Sequence, residues 1–429
     1  MKLPRGFQVI KTTFALPNYR LYVIGNMTST TGLWIQRVAI GWLTWELTES
    51  TAWLGAIALA ESMPSLLLGL MAGALVDRVD TLKLLRISQA LSLAYSVMLM
   101  IATFSGVMEI WMLFGMTIFR GCVLSVSRPS RMTLVFALVG RELLASALAT
   151  NSMIFNISRF IGPALGGIII AATGGSIWGI AWAFATASAM LLVMTIVLQI
   201  MDIPPAPAGD EKKVRRSMLL ETIDGVRYVS GHPSIRSLLL LLICVALFAK
   251  SVIDLFPGFA AQVFNHEADG LGLLLSAHGL GAMSGGAWLA SRSGGIKGMT
   301  HVLTVNLLFM ALALLLFAIS NMFWLGCLMA YLTGSAFIIM SVGTQTLIQA
   351  NVDPQLRGRV VSVYGMIAQD MPALGAMIIG GLAEFYGLQL PVAMGAGVCF
   401  LLWWWAGRQK HRLAAALETE TATDKSRKA

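Results

Sequence analysis

The chain has 429 residues, of which 57% are hydrophobic and only 12% are charged, and its mean hydropathy is +0.77. A soluble domain carries roughly 25% charged residues, so this composition excludes an ordinary soluble fold and indicates a membrane protein. The formal net charge of +9 could suggest nucleic-acid binding, but the cations lie between apolar runs, which is typical of charges that set membrane topology.

The apolar runs are long and continuous, as in 181–200 and 302–319. Backbone groups in lipid must bond internally, so the choice is helices or a closed barrel, and barrel strands span only about 10 residues. We therefore expect an all-α membrane protein with twelve transmembrane helices. The predicted spans, in chain order, are 20–47, 52–76, 82–104, 110–131, 145–171, 178–201, 237–260, 271–291, 300–319, 322–347, 360–383 and 389–407.

The distribution of Lys and Arg predicts the orientation of these spans. The loops on one side contain many cations, and the six loops on the opposite side contain none. Because cytoplasmic loops are enriched in Lys and Arg, we expect both termini in the cytoplasm and the spans in a bacterial inner membrane. The cations on the cytoplasmic side are Arg78, Lys83, Arg86, Arg128, Arg131, Arg141, Lys212, Lys213, Arg215, Arg216, Arg227, Arg236, Arg292, Lys297, Arg357 and Arg359.

A long polar connection divides the chain into two halves of six spans. The predicted organisation is an N-terminal six-helix bundle (1–201), a cytoplasmic linker (202–236), a C-terminal six-helix bundle (237–407) and a cytoplasmic tail (408–429). Apolar residues at 214, 218, 219, 223 and 226 of the linker fit one face of an amphipathic helix on the membrane surface. The alternative is a plain linker.

A short repeat relates the two halves. The sequence Pro-Ala-Leu-Gly occurs at 163–166 in span 5 and again at 372–375 in span 11. Recurrence in equivalent spans indicates an internal repeat with a substrate site between the repeats, which is a transporter architecture. The expected fold is therefore two pseudo-symmetric six-helix bundles.

Two motifs resemble those of the major facilitator superfamily. The loop after span 2, 73–83, is similar to the superfamily's Gly-x-x-x-Asp-Arg signature, and 159–167 in span 5 is similar to the Gly-Pro motif of drug- and siderophore-exporting branches. Three further stretches, 38–43 with 47–50, 224–229 and 357–362, resemble the enterobactin-exporter-like branch, the transmembrane secretion effectors. Arg120 is followed at once by Gly121, which departs from the spacing of the proton-antiporter motif.

The resemblance implies a secondary transporter working by alternating access, with spans 1, 4, 7 and 10 lining the cavity. It ranks export of a siderophore or drug-like small molecule first. Import of a nutrient or iron chelate is the alternative, and lipid translocation and a non-transporting receptor or assembly factor are further ones.

Seven charged residues lie deep in the predicted spans. Each charge at the centre of a membrane helix costs about 2.5–3.5 kcal/mol, so these residues must face a wet cavity or one another. Three cations and one acid on the cavity spans favour an anionic or amphiphilic solute. The deep charges are Arg37, Glu61, Arg120, Arg159, Lys250, Asp254 and Asp370.

Six of the deep charges, all except Arg159, are the candidate substrate and proton cavity. In an α-helix Lys250 and Asp254 share a face; they form either an internal ion pair or a proton-coupling site at Asp254. Glu61 is either protonatable or a partner of Arg37. Asp370, just before an expected helix break at Pro372, is a further candidate partner of Lys250.

The loop after span 2 is a candidate cytoplasmic gate. Asp77 is expected to accept hydrogen bonds at a neighbouring helix N-terminus and to pair with Arg128 and Arg131. Gly73 and Arg78 complete the signature. The alternative is that these charges only set topology.

The motif in span 5 is a candidate bending or sealing surface. Gly162, Pro163, Gly166 and Gly167 permit close helix approach and a kink, and Arg159 either braces the packing or meets substrate.

No cofactor or metal is expected, because Cys/His ligand spacing and a Walker sequence are both lacking from the sequence. The expected partners are a small-molecule substrate, the proton as coupling ion and the lipid bilayer. An enzyme is not expected, and the transporter is expected to act as a monomer.

Overall fold

The structure is a computed structural model that describes residues 12–76, 80–201, 218–292, 295–353 and 355–418. For residues 69–76, 81, 128–129 and 218–224 it describes the backbone only.

Helices make up almost all of the described chain. Nine stretches in this part are long and apolar enough to cross a membrane, and one of them, of 63 residues, has the length of two spans. The helices are α1 (Pro17–Thr48), α2 (Thr51–Val76), α3 (Thr81–Phe104), α4 (Ile110–Ala172), α5 (Ile177–Ile200), α6 (Met218–Gly231), α7 (Pro233–Phe248), α8 (Ala268–Ser291), α9 (Met299–Ile319), α10 (Phe323–Asn351), α11 (Arg357–Tyr386) and α12 (Gln389–Leu417).

Helix α4 contains predicted spans 4 and 5 in one element. Gly140 is its non-helical residue, with φ 70° and ψ −177°, a conformation open essentially to glycine. The segment 132–144, which was expected to be a loop between the two spans, is therefore helical on both sides of a bend at Gly140. The residues around Gly140 are mostly good helix formers, which explains the difference.

Predicted span 7 departs from α-helical geometry in its second half. Helix α7 ends at Phe248, and a 3₁₀ helix (Lys250–Leu255), an α turn (Phe256–Gly258) and a π-helix (Phe259–Val263) follow. The predicted span 237–260 lies within the apolar stretch Pro233–Val263, but the second half of that stretch is not α-helical. Pro257 supplies the physical reason, because it lacks an N–H and its ring clashes with the carbonyl four residues earlier.

Contacts group the chain into two compact units. The first consists of Met1–Glu49, Ala60–Met218 and His266–Ser276, and the second of Ser50–Leu59, Leu219–Asn265 and Ala277–Ala429.

The two units share one internal packing pattern. In the first unit α1 packs on α4 and α5, and α3 packs on α4 and α5. In the second unit α7 packs on α11 and α12, and α9 packs on α10 and α12. Spans 1 and 3 therefore make the same contacts within their unit as spans 7 and 9 make within theirs.

The repeated tetrapeptide lies at equivalent helix contacts in both units. A Cβ on Gly166 would come within 3.2 Å of Val38 Cβ in α1, and a Cβ on Gly375 would clash with the backbone of Leu247 in α7. Each glycine thus lets span 5 or span 11 approach the first helix of its own half closely.

Carboxylates cap two helices of the second unit. Glu384 Oε1 accepts from Ala52 N (2.9 Å) and Ser50 Oγ (2.5 Å) at the start of α2. Glu418 accepts from Gly298 N (2.6 Å) and Thr300 N (2.7 Å) at the start of α9. Both satisfy N–H groups that a helix start leaves without intrahelical partners.

The linker and tail are described in part. Residues 202–217 and 419–429 lie outside the described chain, and Met218–Gly231 is helical. Helix α12 continues ten residues beyond the predicted end of span 12 at 407.

Candidate functional site

An ion pair joins spans 2 and 4 inside the first unit. Arg120 Nη1 donates to Glu61 Oε2 at 3.3 Å, and the Arg120 side chain is 9% exposed against 26% for Glu61. Beneath the guanidinium lies the buried ring of Tyr95 from α3, with its centroid 5.9 Å from Arg120 Cζ. The structure therefore pairs the predicted cavity acid Glu61 with Arg120, whereas the sequence suggested Arg37 as a candidate partner.

Gly121 brings the two helices of this pair together. A Cβ at this position would collide with the carbonyl oxygen of Glu61 and would lie 2.8 Å from Pro64 Cγ. Span 4 thus places a cation at Arg120, and the missing side chain of Gly121 lets the two helices approach closely enough for this cation to reach Glu61.

Two arginines from different spans share one tryptophan in the first unit. Arg37 Cζ lies 5.6 Å and Arg159 Cζ 5.8 Å from the ring centroid of Trp34. Phe155 packs edge-on to the same indole, with centroids 5.9 Å apart. A cation–π contact contributes about 0.5–2 kcal/mol, which is less than the cost of about 2.5–3.5 kcal/mol for one charge at the centre of a membrane helix.

The span 5 motif contacts neighbours on two sides. On one side a Cβ on Gly162 would lie 2.5 Å from Trp34 Cβ in α1. On the other side a Cβ on Gly167 would lie 2.7 Å from the Ala268 carbonyl oxygen, and a Cβ on Gly272 would lie 2.7 Å from the Pro163 carbonyl oxygen in return. Gly166 faces α1, as described above. Helix α4 runs through Pro163 without a break.

In the second unit a lysine joins spans 7, 10 and 11. Lys250 Nζ donates to the backbone carbonyl of Ala368 at 2.6 Å and lies 4.8 Å from the Phe337 ring centroid. This geometry ties the 3₁₀ segment to α11, two residues before the buried Asp370. Because α11 continues through Pro372, the helix break expected after Asp370 is wrong.

The predicted shared face of Lys250 and Asp254 depends on α-helical geometry that this segment lacks. In a 3₁₀ helix, residues four apart point about 120° away from each other. Asp254 lies on the same short segment and is partly buried.

The predicted gate falls largely outside the described chain. Asp77 and Arg78 are not among the described residues, Gly73 is described only as part of α2, and Arg128 only as part of α4. Arg131 is described in full. Its guanidinium donates to two neutral amides, 3.1 Å to one on α1 and 2.9 Å to one on α3.

Sequence reasoning missed the neutral residues that surround the charges. These are Trp34 and Tyr95 beside the arginines, the amides of Asn26 and Gln89 at Arg131, and Phe337 beside the lysine. Only Trp34 carried a usable signal, because it precedes Arg37 by three residues and so lies on the same helix face. The others come from distant spans that local spacing does not connect.

Comparison with known proteins identifies the chain's relatives. The sequence profile of the family described as transmembrane secretion effector matches residues 12–426. The multidrug efflux pump Tap of Mycolicibacterium fortuitum is 26% identical, over 86% of this chain and 90% of the pump. The staphyloferrin A transporter of Staphylococcus aureus is 24% identical over 83% and 87%, and the enterobactin exporter EntS of Shigella flexneri is 24% identical over 90% and 88%.

Solved structures share the fold. A point mutant of the nucleoside transporter NupG superposes with a TM-score of 0.71 at 12% identity, covering 91% of this chain and 99% of NupG. A point mutant of a peptide transporter POT, crystallised with sulfate, gives 0.70 at 12% identity, covering 97% and 100%. The predicted fold class, a twelve-helix membrane transporter fold, is confirmed.

Proposed function

Because the chain belongs to the transmembrane secretion effector family of the major facilitator superfamily, we propose that it is a proton-coupled exporter of a siderophore or drug-like small molecule. The chain is a multi-pass membrane transport protein and not an enzyme. The proposal covers the direction of transport, the substrate and the coupling ion.

The observation that carries the proposal is the Arg120–Glu61 pair inside the first unit. Its side chains lie 3.3 Å apart, and the Glu61 side chain is 26% exposed. We infer that this exposed part faces the aqueous cavity, from which a proton would reach the carboxylate. Protonation of Glu61 would remove the negative member of the pair and leave Arg120 able to attract another anion. Proton uptake and solute binding would then compete at one place, as coupled antiport requires.

Acids of the second unit are alternative coupling groups. Asp254 lies on the 3₁₀ segment with Lys250, and Asp370 is buried two residues after the carbonyl that Lys250 contacts. A non-α segment at membrane depth is typical of transporter sites, which supports a role for these residues in the transport cycle.

The relatives favour export and a small organic substrate. Two of the three relatives described above are named as an efflux pump and an exporter, and two are named for siderophores. The excess of cations over acids at depth favours an anionic or amphiphilic member of this class.

The topology and the gate are also proposed. The positive loops support a topology with both termini in the cytoplasm and the spans in an inner membrane. The bundles would lie at 1–201 and 237–407 and would be joined by 202–236. Asp77 with its neighbouring cations would close the cytoplasmic side, and the span 5 motif would seal or bend. The protein would act as a monomer.

The test is transport in proteoliposomes with an imposed pH gradient and a panel of labelled siderophores and anionic and cationic dyes. We expect at least one compound to accumulate only when the gradient is present. Glu61→Gln should abolish gradient-driven accumulation but retain exchange of labelled for unlabelled solute. Glu142→Gln, which changes an exposed acid on α4, is the matched control. Full gradient-driven transport by Glu61→Gln would exclude Glu61 as the coupling group, and accumulation independent of the gradient would exclude proton coupling.

A further inference from the structure

Pro372 removes one hydrogen bond from the middle of α11. A proline has no backbone N–H, so it cannot donate to the carbonyl oxygen four positions earlier, which belongs to Ala368. Both residues are buried inside the second unit. A buried carbonyl needs a donor from elsewhere, and neighbouring helices supply such donors where prolines occur in membrane spans.

Lys250 of span 7 supplies a donor to this same carbonyl. Its Nζ lies 2.6 Å from the Ala368 oxygen, the acceptor that Pro372 leaves without its helical N–H. The ring of Phe337 on α10, with its centroid 4.8 Å from Nζ, contacts the ammonium from another helix. A side chain from span 7 therefore replaces a backbone hydrogen bond of span 11.

The backbones of the two spans are close together beside this bond. Three residues after Pro372, a Cβ on Gly375 would clash with the backbone of Leu247 in α7. Three residues after Leu247, the α-helix has given way to the 3₁₀ helix that begins at Lys250. The glycine contact thus keeps the irregular segment of span 7 next to the proline of span 11.

The integrity of α11 at the proline consequently depends on a residue of a different helix. A proline in a helix interior normally causes a kink, yet α11 continues as one element from Arg357 to Tyr386. A lysine side chain can leave the carbonyl by rotating about its own bonds, whereas a backbone donor can leave only if the helix unwinds. The replacement bond is therefore one that the protein can open and close.

We propose that Lys250 is a releasable brace on a hinge at Pro372. While bonded to Ala368 it keeps α11 closed at the proline, and when it leaves, the segment 368–376 opens and α11 bends. The inference rests on the proposed transport function, to which it adds a moving part of the second unit.

The brace is tested by amide hydrogen–deuterium exchange of the full chain in nanodiscs, which needs no transport. Lys250→Met should speed exchange in 368–376 by roughly tenfold, because loss of a charge-assisted hydrogen bond raises the population of the open segment. Lys297→Met, which changes an exposed lysine of the same unit, should exchange as the wild type does. Peptides around Pro163 in the first unit serve as an internal reference and should not change.

Pro372→Ala provides the decisive variant, because it restores the missing N–H. In the Lys250→Met background it should return the exchange of 368–376 to the wild-type rate, since Ala368 then has a helical donor again. Pro372→Ala alone should keep the segment protected but slow transport in proteoliposomes by about tenfold, because the hinge is lost.

Unchanged exchange in Lys250→Met would overturn the brace, and so would faster exchange spread evenly over the second unit. Failure of Pro372→Ala to restore protection would overturn it too, because the lysine would then not replace the missing bond. Normal transport by Pro372→Ala would overturn the hinge. If the wild type accumulates no compound under a pH gradient, the exporter proposal fails on its own, and the exchange rates still decide whether Lys250 braces α11.

Discussion

Glu61→Gln should destabilise the protein more than Arg120→Gln, although both changes remove the same ion pair. After Glu61→Gln the guanidinium of Arg120, whose side chain is 9% exposed, must remain charged beside a neutral amide. After Arg120→Gln the carboxyl of Glu61 can take up a proton and become neutral. The cost of an uncompensated buried charge therefore falls on only one of the two variants.

The magnitude follows from the geometry of the pair. Two unit charges 3.3 Å apart attract by about 5 kcal/mol at an effective dielectric constant of about 20. Desolvation opposes this attraction, and the 26% exposure of the Glu61 side chain adds solvent screening. We expect a loss of about 3 kcal/mol in the free energy of unfolding for Glu61→Gln and about 1–2 kcal/mol for Arg120→Gln.

The assay is SDS titration in mixed micelles on both single variants and the double variant. The double variant should resemble Arg120→Gln, with a coupling energy of about 3 kcal/mol in magnitude. Glu142→Gln and Arg141→Gln change exposed neighbours and should each stay within about 0.5 kcal/mol of the wild type. Equal losses in the two single variants, combined with additivity in the double, would show that the pair contributes no coupling energy.

Four further variants test other parts of the molecule. Gly121→Ala should reduce transport at least tenfold in proteoliposomes, because its Cβ would collide with the backbone of α2; Gly115→Ala on the same helix meets nothing within 4 Å and should transport normally. Gly140→Ala should lower the free energy of unfolding by about 1–3 kcal/mol in SDS titration, since φ there is 70°; a loss no larger than that of Gly115→Ala would contradict this. Lys250→Met should cost about 1–3 kcal/mol in the same titration through its lost charge-assisted hydrogen bond to α11, and an unchanged midpoint would contradict it. Asp77→Asn should abolish most transport while the protein level in the membrane persists by immunoblot; normal transport would exclude the gate.

Hydropathy predicted the spans well where an apolar run has the length of a helix. Met299–Ile319 matches the prediction of 300–319, because that stretch is bounded by polar residues at both ends. Gln389–Leu417 exceeds its prediction by ten residues, because Ala, Leu, Arg and Lys continue the helix beyond the apolar run. Hydropathy detects the lipid-buried part of a helix, not the end of its hydrogen bonding.

The interruption of span 7 was foreseeable in part. Pro257 lies within the predicted span 237–260 and signals a break. Its effect on the preceding residues, a 3₁₀ helix over Lys250–Leu255 and then a π-helix over Phe259–Val263, depends on tertiary contacts such as the bond from Lys250 to α11. Local sequence therefore locates the break but not its geometry.

The members of the candidate site were predicted more reliably than their partners. Charge at membrane depth is visible in sequence, so Arg120 and Glu61 were identified individually. The two residues lie 59 positions apart in the sequence, and their pairing depends on the close approach of α2 and α4 at Gly121. No periodic pattern in the sequence predicts that approach. Sequence reasoning left Glu61 as either a protonatable site or a partner of Arg37.

The two units share their glycine contacts but differ in the charges beside them. The 209-residue offset that relates Pro163 to Pro372 also relates Arg159 to Ala368, so the glycine contacts recur while the charge does not. In the first unit span 5 supplies a guanidinium to the first helix of its half. In the second unit the equivalent residue, Ala368, supplies only a backbone carbonyl, and the first helix supplies the cation, Lys250. Each unit thus carries cations beside its glycine contact, on spans 1 and 5 in the first unit and on span 7 in the second.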